Sequence, residues 1–588
     1  MTSKIVLLAL NAKFFHTSLA IRYLREACKR AECGTTELLE LTINNFIPEI
    51  LGAVYDSQPK VLAVACYIWN IELVKQLLPL VRKVLPETVI ICGGPEVSYE
   101  SREFLLANPA ADYVVRGEVE EVFPELLQHV LAGKNMDNIA GICYRDNNGN
   151  IIDGGAVVVE NMAQLPFAYQ QEEMADIKER ILYYETSRGC PFACAYCLSC
   201  ATIGVRYRPM DMVLQELQFF VDNDVRQVKF VDRTFNAKKS HYMPILEFIK
   251  NLPENCRTNF HFEMAIDYLD SETIGLLQSL PQGRVQLEIG IQSTNPEVLK
   301  HIQRVNHWEK IAGNIKALLA KKNMHIHTDL IIGLPGEDME SFAQSFNDVY
   351  SLDTNMLQLG FLKFLKGAAM MKLVQEYKYQ YMDIGPYEVL SNNLLNYGDI
   401  RYLHIFEEVF ELYHNAGRCR NICNYLIKTQ EKGNAFNFYK AFTNYWQAQG
   451  YQSMAHSPRN LYDIFRSFVK DQYQMDIPEE NVLDNLLRYD CLLADKGRIR
   501  PEWLNWNLEK YQTVTAQFWR ERSKVNAGNV LGNYEFTTWR DLRKKYQIER
   551  FNYNIGQMKM SPAPAGCWIL FEFAEHGTNT YVLEDFGN

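Results

Sequence analysis

The 588-residue chain has no run of about 18 apolar residues, so no membrane-crossing helix is expected. It has no G-x-G-x-x-G at its first strand-to-helix turn. That turn is Ala9-Leu-Asn11-Ala-Lys13-Phe-Phe-His16, which removes the mechanical basis for dinucleotide binding there. It has no positive excess. The net charge of −11 argues against a broad basic surface for nucleic acid and leaves only a local groove open. It has no low-complexity tract, and 47% hydrophobic residues suffice for substantial cores. It has no apolar leader of secretory length, because Asn11 and Lys13 cut short the run that begins at Ile5. That start is expected to be a buried strand. The 14 cysteines are scattered, which fits a reducing cytoplasm where thiols stay free or bind metal.

What is present is alternation. Length suggests three or four domains. Residues 1–140 alternate apolar runs (Ile5–Leu10, Val61–Cys66, Val89–Cys92, Tyr113–Val115) with helical spacing (Ser18–Arg30, Val74–Val84). This predicts a parallel sheet with helices on both faces, a Rossmann-like α/β domain. Ligands of such sheets bind beyond the carboxyl ends of strands. The loops Asn11–Thr17, Tyr67–Asn70, Gly93–Ser98 and Arg116–Glu120 are therefore the ones of interest. Residues 141–180 are expected to form a hairpin around Asn147-Asn148-Gly149-Asn150 and a linker with Pro166. Residues 181–390 hold six more strand candidates: Leu182–Thr186, Val228–Asp232, Phe260–Ala265, Val285–Ile291, His327–Gly333 and Leu357–Phe364. Six βα units predict a partial (β/α)6 barrel. Residues 391–588 are expected to be mainly helical and rich in aromatics, ending in a strand pair, Cys567–Phe573 and Thr580–Leu583, around Gly577.

The first barrel strand leads into Gly189-Cys190-Pro-Phe-Ala-Cys194-Ala-Tyr196-Cys197, a C-x3-C-x2-C spacing. Three thiolates on a short loop can hold three irons of a four-iron cluster and leave the fourth without a protein ligand. An open iron can bind and cleave a ligand, whereas a four-cysteine cluster mainly passes electrons. The alternatives are three buried cysteines, or a zinc site completed by Cys200. Glu263, Glu288 and Gln292 interrupt otherwise apolar strands and need partners, either ligand atoms or each other. Asp232 ends the second barrel strand as a ligand contact or a cap. The fifth strand runs into Gly333-Leu-Pro335-Gly336-Glu337, where glycine permits close backbone approach.

On these residues, with Gly290-Ile-Gln292-Ser293 and Asp329-Leu-Ile-Ile-Gly333 in register after the cysteine loop, residues 181–340 resemble the radical S-adenosylmethionine (SAM) superfamily. The resemblance implies a [4Fe-4S] cluster on Cys190, Cys194 and Cys197, with SAM chelating the open iron and yielding a 5′-deoxyadenosyl radical. It implies SAM contacts from Tyr196, Asp232, Glu263, Glu288, Gln292, Gly333 and Pro335. The glycine-rich form usual near Asp232 is absent.

The amino-terminal domain resembles the cobalamin-binding domain often fused ahead of such a barrel. Gly93, Gly94, Pro95 and Glu96 after one strand, and Arg116, Gly117 and Glu118 after the next, carry that resemblance. The Asp-x-His-x-x-Gly pattern that supplies a histidine to cobalt elsewhere is missing. Cobalamin without a histidine beneath the metal is implied, which makes Trp69 and Asn70 candidates for its lower face. His16 is a weaker candidate. Asn11-Ala-Lys13, Cys66-Tyr-Ile-Trp69-Asn70 and Gly93–Ser98 resemble one subgroup with a helical carboxy-terminal extension. The implied activity is methyl transfer to an unactivated carbon through methylcobalamin and the radical. Two alternatives stay open: a cyclase or rearrangement enzyme without net methyl transfer, and a non-catalytic iron–sulfur or cobalamin-binding sensor or carrier. The implied partners are a small-molecule or peptide substrate and an electron donor such as a flavodoxin or ferredoxin. No membrane is expected, and nucleic acid is disfavoured.

Overall fold

The computed structural model describes residues 4–134, 136, 139–198, 204–477, 481–504, 506, 510–524, 544–555, 565–574 and 577–583. The amino-terminal apolar runs become the strands β1 (Lys4–Asn11), β3 (Val61–Ala65), β4 (Val89–Gly93) and β5 (Tyr113–Val115), with β2 (Thr35–Thr42) beside β1. The hairpin strands β6 (Ile142–Arg145) and β7 (Ile151–Asp153) complete the sheet, in the order β2-β1-β3-β4-β5-β6-β7. β1 to β5 are parallel, and the hairpin adds an antiparallel edge. The order 2-1-3-4-5 is doubly wound and reverses between β1 and β3, which opens a crevice at their carboxyl ends. Val6, Leu8 and Leu10 enter one core, and Ile5, Leu7 and Ala9 the other. A strand covered on both faces has to be apolar throughout, which is why these runs are legible.

β2 was not among the predicted strands. Its sequence, Thr-Thr-Glu-Leu-Leu-Glu-Leu-Thr, lies half-exposed at the sheet edge and neither alternates nor runs apolar. The helix Ile47–Ser57 that follows was likewise unread.

The second sheet begins with β8 (Ile181–Tyr184). A short antiparallel ladder of β9 (Ser187–Arg188) and β10 (Arg206–Tyr207) closes the cysteine loop at its base. Then follow β11 (Gln227–Phe230), β12 (Asn259–Glu263), β13 (Val285–Gln292), β14 (His325–Ile332) and β15 (Met356–Phe361). All six main strands are parallel in the order β15-β14-β13-β12-β11-β8, with helices between them. The result is an open, six-stranded partial barrel. β8 is one of its edges, and the loop after β1 covers it. Ile181 N donates to Phe15 O at 2.8 Å, and Thr17 Oγ1 donates to Ile181 O at 2.9 Å. Five predicted strands run one to three residues past the observed ends, because the chain turns out of the sheet there to build the site.

After β15, residues 362–395 carry the small antiparallel pair β16 (Gln380–Tyr381) and β17 (Val389–Ser391). The chain divides into two compact units, Met1–Ile400 and Arg401–Asn588. The second unit by itself is built from the helices Arg420–Gln430, Ala435–Ala448, Pro458–Tyr473 and Val482–Ala494. Aromatic pairs pack them, such as Phe442 on Phe468 with centroids 4.1 Å apart. The strands β18 (Tyr546–Phe551), β19 (Cys567–Ala574) and β20 (Gly577–Val582) form its antiparallel sheet. β18 and the helix Arg420–Gln430 are additions to the predicted pattern. Among the described residues, no helix is long and apolar enough to cross a membrane.

Candidate functional site

The cysteine loop leaves β9 at Gly189, whose φ of +93° and closeness to Gly204 O leave no room for a Cβ. Cys190, Cys194 and Cys197 line a cavity of about 220 Å³ at the carboxyl ends of the barrel strands. Phe192, Tyr196, Arg233, Thr234, Glu263, Met264, Ala265, Glu288, Gly290, Gln292, Arg304 and Asp329 complete its wall. Of the expected barrel-side contacts, Tyr196, Glu263, Glu288 and Gln292 are therefore brought together with the three thiols. Cys190 Sγ lies 3.4 Å from Thr234 Oγ1, and Arg304 Nη1 lies 3.7 Å from Cys194 Sγ and 3.4 Å from the Tyr196 hydroxyl. Among the described residues, no three His, Cys, Asp or Glu side chains converge as ligands of one ion. Thiols spread around a cavity suit a cluster, in which each of three irons takes one cysteine. Cys200 lies outside the described residues.

Gln292 reaches the cavity through a distortion. β13 has a register shift between Gly290 and Gln292, and Gln292 sits at φ +71°. A bulge of this kind re-aims a side chain, and a left-handed non-glycine residue stores strain that the surroundings must hold. Gly290 makes room, since a Cβ there would lie 2.2 Å from Gln292 Nε2.

The cavity's carboxyls have different surroundings. Contact with His261 holds Glu288 down at about 2 against the cost of burial, and Lys229 adds to this. Lys229 Nζ donates to Glu288 Oε2 at 2.9 Å, and His261 Nε2 lies 3.0 Å from the same oxygen. Burial, then the Glu288 charge, pushes Glu263 up to about 6. Burial, then Glu288 and Glu263, pushes Asp329 up to about 8. Asp329 Oδ1 is buried without a hydrogen-bond partner, on the cavity wall. Such an oxygen is costly unless something binds to it.

Other expected contacts have protein partners instead. Asp232 does not line the cavity. It accepts from Thr186 N at 2.9 Å, from Thr186 Oγ1 at 2.6 Å and from Ser187 Oγ, so it pins the approach to the cysteine loop. Burial, only partly offset by these bonds, pushes it up to about 6. Gly333 and Pro335 lie in the turn after β14. Gly333 O accepts from the Tyr379 hydroxyl at 2.8 Å, and Pro335 O lies 3.1 Å from His301 Nδ1.

On the first sheet, Asn11 and Asn70 are buried loop formers. Asn70 Nδ2 donates to Leu10 O and Ala65 O, and its Oδ1 accepts from Tyr67 N. Asn11 Nδ2 donates to His16 O at 3.1 Å. Trp69 sits at the β1/β3 crevice, 45% exposed. It stacks on Tyr67 with centroids 4.5 Å apart, and its Nε1 donates to Leu10 O at 3.1 Å. His16 Nδ1 lies 2.7 Å from the Tyr183 hydroxyl.

Gly93, Gly94 and Pro95 form the turn after β4, where a Cβ on Gly94 would lie 2.5 Å from Cys66 O. Glu96 is buried and accepts from the Tyr387 hydroxyl. Arg116 donates to Ser98 O at 2.8 Å and pairs with Asp153. Gly117 packs against Val157 backbone. Glu118 accepts from Arg206 Nη2 at 2.6 Å and from Arg188 Nη1 at 3.1 Å. Arg188, directly before the Gly189-Cys190 turn, also contacts Glu120 at 2.5 Å and Glu185 at 2.6 Å. The loop after β5 is thus tied to the base of the cysteine loop.

The sequence reading passed over Arg304, Arg233 and Thr234 as candidates. Arg304 had no local signal, since it meets Cys194 from 110 positions away. Arg233 and Thr234 directly follow Asp232, in a segment that lacks the usual glycine-rich form. Asp329 opens the Asp329-Leu-Ile-Ile-Gly333 segment, where nothing local marks it as a ligand contact.

Residues 5–127 match the family model described as B12 binding domain, and residues 184–349 match Radical SAM superfamily. Residues 375–571 match the family described as Protein of unknown function (DUF4080). The chain is 25% identical over 371 residues to a 2-(S-pantetheinyl)-carbapenam-3-carboxylate methyltransferase of Streptantibioticus cattleyicolor, covering 59% of this chain and 53% of that protein. It is 26% identical over 332 residues to the cobalamin-dependent radical SAM methyltransferase TokK of Streptomyces tokunonensis, covering 52% and 47%. The chain thus spans about half the length of these curated relatives. The fold resembles that of the cobalamin-dependent S-adenosylmethionine radical enzyme OxsB with aqua-cobalamin bound, with a TM-score of 0.59 at 13% identity over 88% of this chain and 84% of that one. It also resembles the radical S-adenosylmethionine methyltransferase TsrM from Kitasatospora setae, with a TM-score of 0.55 at 15% identity over 64% and 75%. The chain thus carries a B12 binding domain followed by a Radical SAM superfamily domain, on a fold shared with OxsB.

Proposed function

We propose that the protein is a cobalamin-dependent radical SAM methyltransferase acting on an unactivated carbon of a small molecule or peptide. The observation that carries this reading is the cavity itself, whose wall holds three thiols and a buried, unpartnered Asp329 oxygen. Cys190, Cys194 and Cys197 would hold the cluster. Arg304 and Arg233 are cations on the cavity wall for a ligand carboxylate, and Asp329, Glu263 and Gln292 offer partners for ligand hydroxyl and amino groups. Asp329, pushed up to about 8, is protonated at neutral pH and can both donate and accept. Phe192 and Tyr268 stack with centroids 5.5 Å apart and shield the rim of the cysteine loop.

On the first sheet, Trp69 and the Gly93–Glu96 turn border the crevice that would hold cobalamin. Glu96, Arg116, Glu118 and Asn70 shape that crevice through their protein contacts. Asp232 holds the approach to the cysteine loop. When bound, the cluster with SAM would supply a hydrogen-abstracting radical, and cobalamin would carry the methyl group.

The test is anaerobic turnover with methyl-labelled SAM, a reductant such as reduced flavodoxin, and candidate substrates. Labelled product together with 5′-deoxyadenosine is expected. Product without label would overturn methyl transfer in favour of cyclisation or rearrangement. Absence of any SAM cleavage would favour a sensor or carrier.

A further inference from the structure

Residues 362–395 follow the last barrel strand and lie ahead of the second unit. They overlap the start of the region that matches a family of unknown function. The segment doubles back on itself, with Phe364 N donating to Tyr387 O and Val389 N donating to Leu362 O, both at 2.9 Å. Along its course it meets four loops in turn.

Two of the loops belong to the first sheet. Lys366 Nζ lies 3.3 Å from Glu96 Oε1 and 3.2 Å from Glu100 Oε2. The Tyr387 hydroxyl donates to the same buried Glu96 oxygen. A Cβ on Gly367 would lie 2.2 Å from the Tyr99 ring, and one on Gly385 would lie 2.8 Å from Ile68 O, next to Trp69. The other two loops belong to the second sheet. Met370 N donates to Ala195 O at 2.8 Å, between Cys194 and Tyr196. The Tyr379 hydroxyl donates to Gly333 O at 2.8 Å, and Val389 packs on Gly333 so closely that a Cβ there would lie 2.9 Å from it.

The contacts are specific rather than merely close. Glu96 is a buried carboxylate, which is costly without donors, and both nearby donors, Tyr387 and Lys366, come from this segment. Tyr387 is itself held at φ +55°, in the left-handed region that a bulky side chain rarely adopts. Met370 is fully buried, so its bond to the cysteine loop is shielded from water.

We infer that residues 362–395 form a positioning strap that fixes the loops after β3 and β4 in register with the cysteine loop, and that Tyr387 is its principal positioning residue. The strap gives the opening residues of the unassigned region a role. Its bearing on two cofactors rests on the proposed function, but its mechanical claim does not.

Tyr387→Phe, measured by amide exchange on the protein without added cofactors, tests that claim. Loss of a hydrogen bond to a charged group is expected to speed exchange about tenfold at residues 94–100. A comparable rise is expected at residues 193–197, across the strap. Met370→Pro, which removes the N–H to Ala195, should reproduce both rises from the other end. Faster exchange confined to the loop next to each substitution would overturn the strap and leave two local contacts.

In protein loaded with cobalamin and cluster, Tyr387→Phe should broaden the spin–spin distance distribution between cob(II)alamin and the reduced cluster. An unchanged width would overturn the strap's role in spacing the cofactors while leaving the two-cofactor reading intact. Absence of any such coupling in the wild-type protein would overturn the two-cofactor reading and the strap's role in it.

Discussion

In the first sheet, every residue of β1 from Ile5 to Asn11 is buried, and its apolar side chains divide between two cores. In the second, β13 alternates buried and half-buried residues, and the half-buried row is Gln286, Glu288, Gly290 and Gln292. Both sheets arise from strand–helix alternation, yet they place polar chemistry differently. The central strands of the first sheet are apolar from Ile5 to Leu10, from Val61 to Ala65 and from Val89 to Gly93, so whatever binds at their ends must be met by loops. The second keeps one face polar, so the strands themselves line the cavity. Changes on the first side should act through loop position, and changes on the second through direct contact.

The largest expected effect separates the two sides outright. Cys194→Ala should take iron from about four per chain to nearly none and abolish SAM cleavage, while cobalamin binds with an unchanged visible spectrum. Loss of cobalamin as well would show that the two sites do not form independently.

Next is the joint between them. Arg188→Gln would leave Glu118, Glu120 and Glu185 without their shared cation, at 10% side-chain exposure for Arg188. Breaking a buried ion pair costs about 3–5 kcal/mol, so thermal unfolding should shift down by several degrees. A shift within error would mean that Arg206 alone holds the loop after β5.

A smaller effect belongs to Asp329 and depends on pH. Its carboxyl sits at about 8 in the folded chain and near 3.9 when unfolded. Below about pH 4 both states hold the proton. Between there and about pH 8 only the folded state does, so this group's contribution to stability is lost as pH rises through that window. Asp329→Asn should therefore flatten the decline in stability between pH 6 and 8, by an amount on the order of 1–3 kcal/mol. Parallel curves for variant and wild type would place the proton elsewhere. The smallest effect is Trp69→Ala, which should alter cobalamin's visible spectrum or retention and leave the cluster's signal alone. No change in either would remove Trp69 from the crevice.

The contrast between the sheets also explains what was legible in the sequence. β1, β3, β4 and β5 were plain because burial on both faces demands unbroken apolar runs. The barrel strands were plain because short strand-like runs alternate with helical stretches, and Glu263, Glu288 and Gln292 stand out on two of them. The cysteine loop was legible because its chemistry is local. β2 was not, since an edge strand tolerates threonine and glutamate. Arg304 and the strap were not, since their meaning lies in contacts with Cys194, Glu96 and Ala195 far away in sequence. Asp232, Asn70 and Glu118 stood out as expected cofactor contacts in the loops after strands. The structure gives them loop-holding partners that no spacing could specify.

The most direct measurement is the cofactor content of the full chain, reconstituted anaerobically with iron, sulfide and cobalamin, then reduced and given SAM. About four irons and one cobalamin per chain, with release of 5′-deoxyadenosine, is the expected result. A colourless protein that holds zinc, or a brown one from which cobalamin washes away, would contradict a cluster on the second sheet paired with cobalamin on the first.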